Sequence, residues 1–292
     1  MNSRVVAIGV FDGVHIGHQE LIRQAKNSAT SREIALTALT FDPHPMNIVK
    51  GISVEHIATL NQRKTWLRLL GVDDVYVCKF TRERSMQSAE EFVESVLISE
   101  LQTDVVVVGE GFRFGHKALG TASTFRNYGI EVLEVPHTLY GDARVSSTRI
   151  RSVVISGDMD AAATMLGRNF EVEGTVVEGF RRGRELGFPT ANVNYESSLV
   201  LPRDGVYAGY LRAEAHSWPA AISIGYNSTF QAEKRTLEVY ALTEQWLDLY
   251  DKSVQVEFVD FVRPMQTYSG ADSLIEAIEA DVLSVKSALN LG

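Results

Sequence analysis

Two histidines near the start of the chain, His15 and His18, stand three positions apart with Gly17 between them. Imidazole rings at this spacing can offer hydrogen-bond donors to one cluster of phosphate oxygens, and the small glycine lets a ligand approach closely. The same residues could also be ordinary surface histidines beside a turn. The elements that flank them favour the first interpretation.

The histidines follow a glycine-rich turn between a predicted strand and a predicted helix. The apolar run Val5 to Ile8 indicates a buried strand, and apolar residues recur at helical spacing from Leu21 to Ala29. Amide groups at the start of a helix favour anions, so we expect a phosphate chain to bind here. The candidate nucleotide-binding residues of this turn are Gly9, Phe11, Gly13, His15 and His18.

A third histidine, His44, follows the predicted strand Ile34 to Phe41. It lies between Pro43 and Pro45, which fix the backbone and end the strand. Ligands of open α/β sheets bind at the carboxyl ends of the strands, so His44 could face the same crevice as His15 and His18. The alternative is a polar residue of an exposed loop.

Two more stretches of the first half carry candidate ligand contacts. In Ser146 to Arg151, hydroxyl groups at a predicted helix start precede two arginines, which could hold a leaving pyrophosphate, although serine-rich helix starts are common. In Gly109 to Gly115, the rings of Phe112 and Phe114 could stack on a ligand or pack in the core.

The second half of the chain has its own phosphate-binding candidate, Gly179 to Asn192. Glycines and three arginines suit a segment that covers a triphosphate, and a solvated basic hairpin is the alternative. Thr190 and Asn192 are two positions apart on an extended segment, so both can offer neutral oxygens to Mg²⁺. Glu238 is either a general base or an exposed strand residue, and spacing alone does not choose.

The predicted elements change character partway along the chain. Strands and helices alternate at first, which predicts a Rossmann-like domain with a doubly wound parallel sheet. After Gly167, short strands and turns predict a small antiparallel β-barrel, followed by a terminal helix capped by Ser273 and Glu276. We therefore expect an α/β domain at residues 1–167 and a β domain at residues 168–292.

Composition narrows the function classes. The 292 residues carry a net charge of −9, which argues against a nucleic-acid binder. The single cysteine, Cys78, excludes an internal disulfide and a cysteine metal cluster. No signal peptide or membrane-spanning run is recognisable, so the sequence predicts a cytoplasmic protein with small-molecule partners and no membrane partner. The oligomeric state is left open.

Five of these stretches resemble motifs of bacterial bifunctional riboflavin kinase/FAD synthetases, in that family's order. Gly9 to His18 is similar to the His-x-Gly-His signature of the nucleotidyltransferase superfamily. Gly183 to Asn192 resembles the riboflavin kinase signature Gly-x-x-Leu-Gly-Phe-Pro-Thr-Ala-Asn. The three motifs between them are matched by Thr40 to Pro45, Gly109 to Gly115 and Val145 to Arg151.

The resemblance implies a Mg²⁺-dependent enzyme that uses ATP twice. The second domain would phosphorylate riboflavin to FMN, with Glu238 as base and with Thr190 and Asn192 holding the metal nucleotide. The first domain would adenylylate FMN to FAD, with His15 and His18 stabilising charge. The resemblance also implies nucleotide contacts at Ser147, Thr148, Arg151, Gly183 and Gly187, and it leads us to expect flavin contacts at His44, Phe112 and Phe114.

Some positions depart from the family pattern. Gly111 stands where the family carries Asp or Asn, and Tyr240 stands where it carries His. Ser228 and Asp251 also replace a family proline and glycine. Two alternatives therefore accompany the bifunctional interpretation: a riboflavin kinase with an impaired adenylyltransferase domain, and a non-catalytic flavin or nucleotide sensor.

Overall fold

The computed structural model describes residues 3–179, 187–226 and 235–291. It divides into two compact units. The first takes in the chain up to Ser147, except for Ile57–Thr59, and the second contains those three residues and the chain from Thr148 onward. The predicted functional boundary near Gly167 lies between the last helix before the barrel and the first barrel strand, and it stays a prediction.

The first unit is built on five parallel strands in the order β3-β2-β1-β4-β5, which confirms the predicted doubly wound sheet. Successive residues of the first strand enter different cores: Val5 and Ala7 pack on one face, and Val6 and Ile8 pack on the other. The strands are β1 (Arg4–Ile8), β2 (Ala35–Asp42), β3 (Asp74–Lys79), β4 (Thr103–Gly109) and β5 (Glu131–Val135).

Helices cover both faces of this sheet. They are α1 (Ile16–Arg32), α2 (Pro45–Lys50), α3 (Leu60–Leu69), α4 (Arg82–Met86), α5 (Ala89–Phe92, continued by the π-helix Val93–Glu100) and α6 (Ala122–Asn127). Two 3₁₀ turns, Asp12–Val14 and His116–Ala118, and a hairpin of β6 (Leu139–Tyr140) with β7 (Ala143–Arg144) complete the unit. Ser88 and Glu91 form a capping box, which the Ser-Ala-Glu-Glu pattern of residues 88–91 predicts.

The second unit contains a closed barrel in the order β10-β11-β12-β9-β8-β13, which confirms the predicted barrel. Its elements are α7 (Ser147–Ser156), which begins at the last residue of the first unit, α8 (Met159–Leu166), β8 (Phe170–Val177), β9 (Ala191–Tyr195), β10 (Gly205–Ala213), β11 (His216–Tyr226), β12 (Arg235–Ala241) and β13 (Ser253–Arg263). The sequence predicts the region of β9 only as an extended segment. It is a full strand because it pairs with β8 on one side and β12 on the other.

The C-terminal helix, Ala271–Ala288, packs on the barrel wall through Val285 and Leu289, as expected. Its predicted cap is wrong. The helix begins two residues before Ser273, whose hydroxyl instead donates to the carbonyl of Gly270 at 3.0 Å. A serine in the first turn can bond back to a preceding carbonyl in this way, so the same letters do not specify a cap. Over the described ranges, no helix has both the length and the hydropathy to cross a bilayer.

Candidate functional site

The turn after β1 forms a compact cradle at the start of α1. Phe11 and Gly13 adopt left-handed backbone conformations, with φ of 53° and 74°. His15 is the N-cap of α1, and its Nδ1 accepts a hydrogen bond from the amide of His18 at 3.3 Å. Because Nδ1 accepts, the neutral His15 ring carries its proton on Nε2, where it can serve as a donor.

The two histidine rings form a stacked pair. Their centroids are 3.6 Å apart with an interplanar angle of 17°, and the edge of Phe11 meets His18 at 5.2 Å. Burial lowers the pKa of His18 well below its usual value, and the adjacent His15 lowers it further. The Nδ1 atom of His18 is buried and has no hydrogen-bond partner among the residues that the structure describes. His18 is therefore held in its neutral form, and an incoming anion would favour its protonation and accept hydrogen bonds from the pair.

At two glycines of this turn, a side chain would press against the rings of Phe11 and His15. A Cβ on Gly9 would lie 3.0 Å from the ring of Phe11, and a Cβ on Gly17 would lie 3.2 Å from Cε1 of His15. Gly9 also donates its amide to Leu39 of β2 at 3.1 Å. These residues lie together in the predicted phosphate site, and their roles as nucleotide contacts stay predictions.

Ser147 connects the third predicted stretch to the same turn. Its hydroxyl donates to the carbonyl of Asp12 at 3.0 Å, so the first residue of α7 contacts the turn that carries the histidines. Thr148 and Arg151 belong to the second unit, where the Arg151 guanidinium donates to the Thr148 hydroxyl at 3.3 Å. The contact of Arg151 with a nucleotide remains a prediction.

His44 is the N-cap of α2, and its Nδ1 accepts the amide of Met46 at 3.1 Å. Its ring lies 5.8 Å from that of His56. The predicted loop after β2 therefore forms, but its histidine also serves a structural role as a helix cap. Its contact with flavin is still a prediction.

Phe112 and Phe114 differ in how much of each ring is engaged. Phe114 stacks on Phe125 with centroids 4.3 Å apart, and Phe112 lies 5.9 Å from Phe114. Both are partly buried against the core on that face of the sheet. The preceding Gly111 has φ of 71° and open space where a Cβ would project. Asn and Asp are the non-glycine residues that best tolerate this conformation, in agreement with the family's choice there.

The barrel brings three predicted kinase residues together. Glu238 on β12 is directly opposite Asn192 on β9, and the Thr190 hydroxyl donates to the Glu238 carboxylate at 3.4 Å. A Cβ on Gly179 would collide with the amide group of Asn192, at 2.0 Å from its Nδ2, so that glycine allows Asn192 to lie close against the backbone. One carboxylate, one hydroxyl and one amide thus share a small region of the barrel surface.

A cavity of about 800 Å³, including its open mouth, adjoins Thr190 and Asn192. Its far wall is the loop from Thr243 to Tyr250, where Trp246 and Tyr250 are 62% and 44% exposed. From the sequence, only Asp251, which follows this loop, stood out as a departure from the family pattern, and the wall itself was not predicted. The signal available was a run of large apolar residues outside any predicted strand, in Trp246-Leu247-Asp248-Leu249-Tyr250.

The opposite flank of Glu238 was also missed. Ser223 on β11 is paired across the strands with Glu238, and its hydroxyl contacts the sulfur of Met265 at 3.8 Å. Met265 is 45% exposed. Only the barrel register places these residues beside the carboxylate, because Ser223 and Met265 are distant from it in sequence.

One predicted nucleotide contact, Gly187, lies next to the residues that the structure leaves undescribed. Gly187 has φ of 88° and open space where a Cβ would be. The ring of Phe188 meets that of Tyr240 edge to face at 5.5 Å. Gly183 and Ser228 lie outside the described residues.

Comparisons with known proteins agree with both halves of this arrangement. The FAD synthetase family model matches residues 1–149, and the riboflavin kinase model matches residues 166–289. The bifunctional riboflavin kinase/FMN adenylyltransferase of Listeria monocytogenes is 34% identical over 96% of this chain and 90% of its own length. The Escherichia coli K12 protein of the same name is 30% identical over 98% of this chain and 93% of its own length.

A solved structure covers almost the same range. A crystal structure titled as a macrolide-efflux protein from Streptococcus pneumoniae aligns with a TM-score of 0.89 and 31% identity, covering 98% of this chain and 94% of that one. The fold of this chain therefore resembles that of the solved protein along nearly the whole length of both chains. With two family models matched in succession and curated relatives aligned end to end, this chain belongs to the family of bifunctional riboflavin kinase/FMN adenylyltransferases.

Proposed function

We propose that the barrel phosphorylates riboflavin with ATP to give FMN, and that the parallel-sheet unit then adenylylates FMN with a second ATP to give FAD and pyrophosphate. The observation that carries the proposal is the contact between Thr190 and Glu238 beside an open cavity that Thr190 and Asn192 line. A binding protein that only senses flavin needs no base at that place.

In the kinase step, Glu238 takes the proton of the ribityl 5′-hydroxyl while the hydroxyl oxygen attacks the γ-phosphorus of ATP. A new P–O bond forms to the ribityl oxygen, and the bond between the γ-phosphorus and the leaving ADP oxygen breaks. The hydrogen bond from Thr190 orients the carboxylate for this task. Glu238 therefore acts on the acceptor, not on the nucleotide.

The chemistry of the donor set fits Mg²⁺. Thr190 and Asn192 offer neutral oxygens next to one carboxylate, and Mg²⁺ is commonly held by a few protein oxygens together with substrate phosphates. In the described parts of the chain, no cluster of three or more His, Cys, Asp or Glu side chains suits a metal ion. When bound with ATP, Mg²⁺ would neutralise phosphate charge.

The two flanks of Glu238 suggest where each substrate lies. The cavity adjoins Thr190 and Asn192, so we place the nucleotide there, with its base against the loop that carries Trp246. The other flank presents Ser223 and half-exposed Met265, a polar and an apolar group that suit a ribityl chain and an isoalloxazine ring. With the substrates bound in this way, the acceptor hydroxyl and the γ-phosphate would meet beside the Glu238 carboxylate.

In the adenylyl transfer, an FMN phosphate oxygen attacks the α-phosphorus of ATP, and the bond to pyrophosphate breaks. His15 and His18 and the amides at the start of α1 stabilise the charge that grows on the phosphate oxygens. We propose Ser147, Thr148 and Arg151 as further contacts of the nucleotide. Of the two loop phenylalanines, Phe112 is the better candidate for flavin stacking, because one face of Phe114 already stacks on Phe125.

The proposal is tested by incubating the purified protein with ATP and MgCl₂, first with riboflavin and separately with FMN, and separating the flavins by chromatography. We expect FAD from both substrates, and neither product after chelation of Mg²⁺ with EDTA. FMN as the only product would indicate a kinase with an impaired adenylyltransferase, for which Gly111 is the first suspect. No product from either substrate would favour a flavin sensor.

A further inference from the structure

A buried arginine lies beneath the proposed adenylyl-transfer site. Arg63, on α3, is only 4% exposed, although arginine is rarely buried without a reason. Its Nη1 donates to the carbonyl of Val10 at 3.0 Å and to the carbonyl of Phe41 at 3.3 Å. These two carbonyls belong to the turn after β1 and to the end of β2. One guanidinium therefore joins the backbones of the first two ligand-binding segments.

Thr40 strengthens the same junction. Its hydroxyl donates to the Val10 carbonyl at 2.8 Å and accepts from Arg63 at 3.3 Å. The carboxylate of Asp42 lies 3.8 Å from the Arg63 guanidinium. Hydrogen bonds from a charged donor are stronger than neutral ones, and the planar fork of arginine holds several acceptors in a fixed arrangement. Val10 stands between Gly9 and Phe11, so fixing its carbonyl also fixes the peptide groups of the phosphate turn.

The strands themselves do not require this cation. β1 and β2 are already paired along Arg4 to Ile8, and burying a charge costs free energy that an apolar side chain of similar size would not. The histidine pair begins within a few residues of the carbonyl that Arg63 holds. A permanent positive charge near this edge also favours a polyphosphate. Both effects serve a reaction on phosphate groups.

We propose that Arg63 is a positioning residue for adenylyl transfer, which it supports by holding the turn of His15 and the loop of His44 in register. This inference rests on the proposed function of the parallel-sheet unit. Arg63 acts through the backbone and contacts no reacting atom, so its loss should lower kcat more than it raises KM. A displacement of about 1 Å at a reacting group can lower a rate by about 100-fold.

The test compares Arg63→Met, Arg63→Lys and the control Leu67→Ala on the same helix. Leu67 is fully buried in the core of that unit and has no polar side-chain atom, so its truncation destabilises the unit without removing a hydrogen bond from either loop. Rates are measured with FMN and ATP well below each variant's melting temperature. For Arg63→Met we expect kcat about 10–100-fold lower, with KM for ATP changed less than about threefold. Arg63→Lys should recover part of kcat, and Leu67→Ala should retain it.

Riboflavin phosphorylation by the same samples serves as an internal reference and should be unchanged. If folded Arg63→Met keeps the wild-type kcat, or if Leu67→Ala loses as much, the inference is overturned. If Arg63→Met does not fold, Thr40→Val decides, because it removes only the hydroxyl from the junction. We then expect a kcat loss of about tenfold, and an unchanged kcat overturns the inference. Failure of the wild-type protein to make FAD would instead refute the proposed function.

Discussion

The barrel places Glu238 opposite Asn192 of β9 and within hydrogen-bonding distance of the Thr190 hydroxyl. Changing Glu238 to glutamine keeps the size of the side chain and its ability to hydrogen-bond Thr190, but removes the base. We expect Glu238→Gln to lower kcat for FMN formation by about 100- to 10,000-fold and to leave FMN adenylylation unchanged. The measurement is the initial rate of each step with its own flavin substrate.

The exposed carboxylate Glu244, on the loop beyond the same strand, provides the control. Glu244→Gln removes one negative charge near the cavity without removing the proposed base, so its kinase rate should remain within about twofold of wild type. Equal losses in the two variants would mean that local charge matters and that Glu238 is not the base.

The burial of His18 leads us to predict that the stability of the protein decreases as the pH falls. The folded-state pKa of His18 lies well below the usual value, because burial and His15 disfavour the charged ring. Between the folded pKa and the unfolded value of about 6.5, the unfolded chain binds the extra proton, so stability falls as the pH falls. Below pH 6.5, we expect His18 to lower the free energy of unfolding by up to about 1.4 kcal/mol for each unit that the pH falls. The variant His18→Gln should lack this dependence.

Urea unfolding of the wild type, His18→Gln and the exposed control His137→Gln, at pH 7.5 and at pH 5.5, would measure it. The free-energy difference between wild type and His18→Gln should shift in favour of the variant as the pH falls. His137→Gln controls for the loss of one histidine at an exposed position. A pH-independent difference between wild type and His18→Gln would contradict a depressed pKa at His18.

At the scale of elements, local sequence patterns predicted the strands, turns and helices whose formation depends on neighbouring residues. The strand, turn and helix around His15 and the capping box at Ser88 follow from residues close in sequence. Ser273 and Glu276 present similar letters, yet the C-terminal helix begins at Ala271, and the Ser273 hydroxyl donates to the Gly270 carbonyl instead of accepting from an amide. The same pattern therefore predicted one cap correctly and another wrongly.

The remaining parts of the site depend on contacts between distant residues. Ser223 meets Glu238 only through the register of β11 and β12, and Arg63 reaches Val10 only once α3 packs on the sheet. Arg63 precedes the core residue Leu67 by four positions, so it shares that residue's face of the helix. A cation on a buried helix face is the signal that could have identified it.

Gly209 of β10 provides a test of the barrel as an element. A Cβ there would lie 1.9 Å from the carbonyl oxygen of Glu257 on the neighbouring strand β13, where the register shifts. We expect Gly209→Ala to destabilise the barrel by more than about 2 kcal/mol and to abolish FMN formation, while FAD formation from FMN persists. Thermal unfolding and the two separate assays would measure these effects.

The control is Gly270→Ala, at a position with extended backbone and open space. Alanine is a poorer N-cap than glycine, but the cost should stay below about 1 kcal/mol and the kinase should remain active. Loss of both activities in Gly209→Ala would mean that the first unit cannot stay folded without the barrel.

At the scale of the whole molecule, the two units have separate cores and separate proposed chemistry. The sheet unit buries clusters around Val5 and Val6, and the barrel buries its own set around Tyr207 and Phe258. The chain carries a net charge of −9 although ATP and FMN are anions. Attraction of phosphate must therefore come from local groups such as helix amides and arginines, not from the overall field.

Separate chemistry predicts that two half-active chains can complete one another. Glu238→Gln should make FAD from FMN but not from riboflavin, and His18→Gln should make FMN but little FAD. Because each step ends in a free product and no covalent intermediate is needed, a mixture of the two variants should convert riboflavin to FAD, after a lag while FMN accumulates. Each variant alone at doubled concentration is the control. If the mixture makes FMN but no FAD, although Glu238→Gln still uses added FMN, then FMN must pass between the units of one chain.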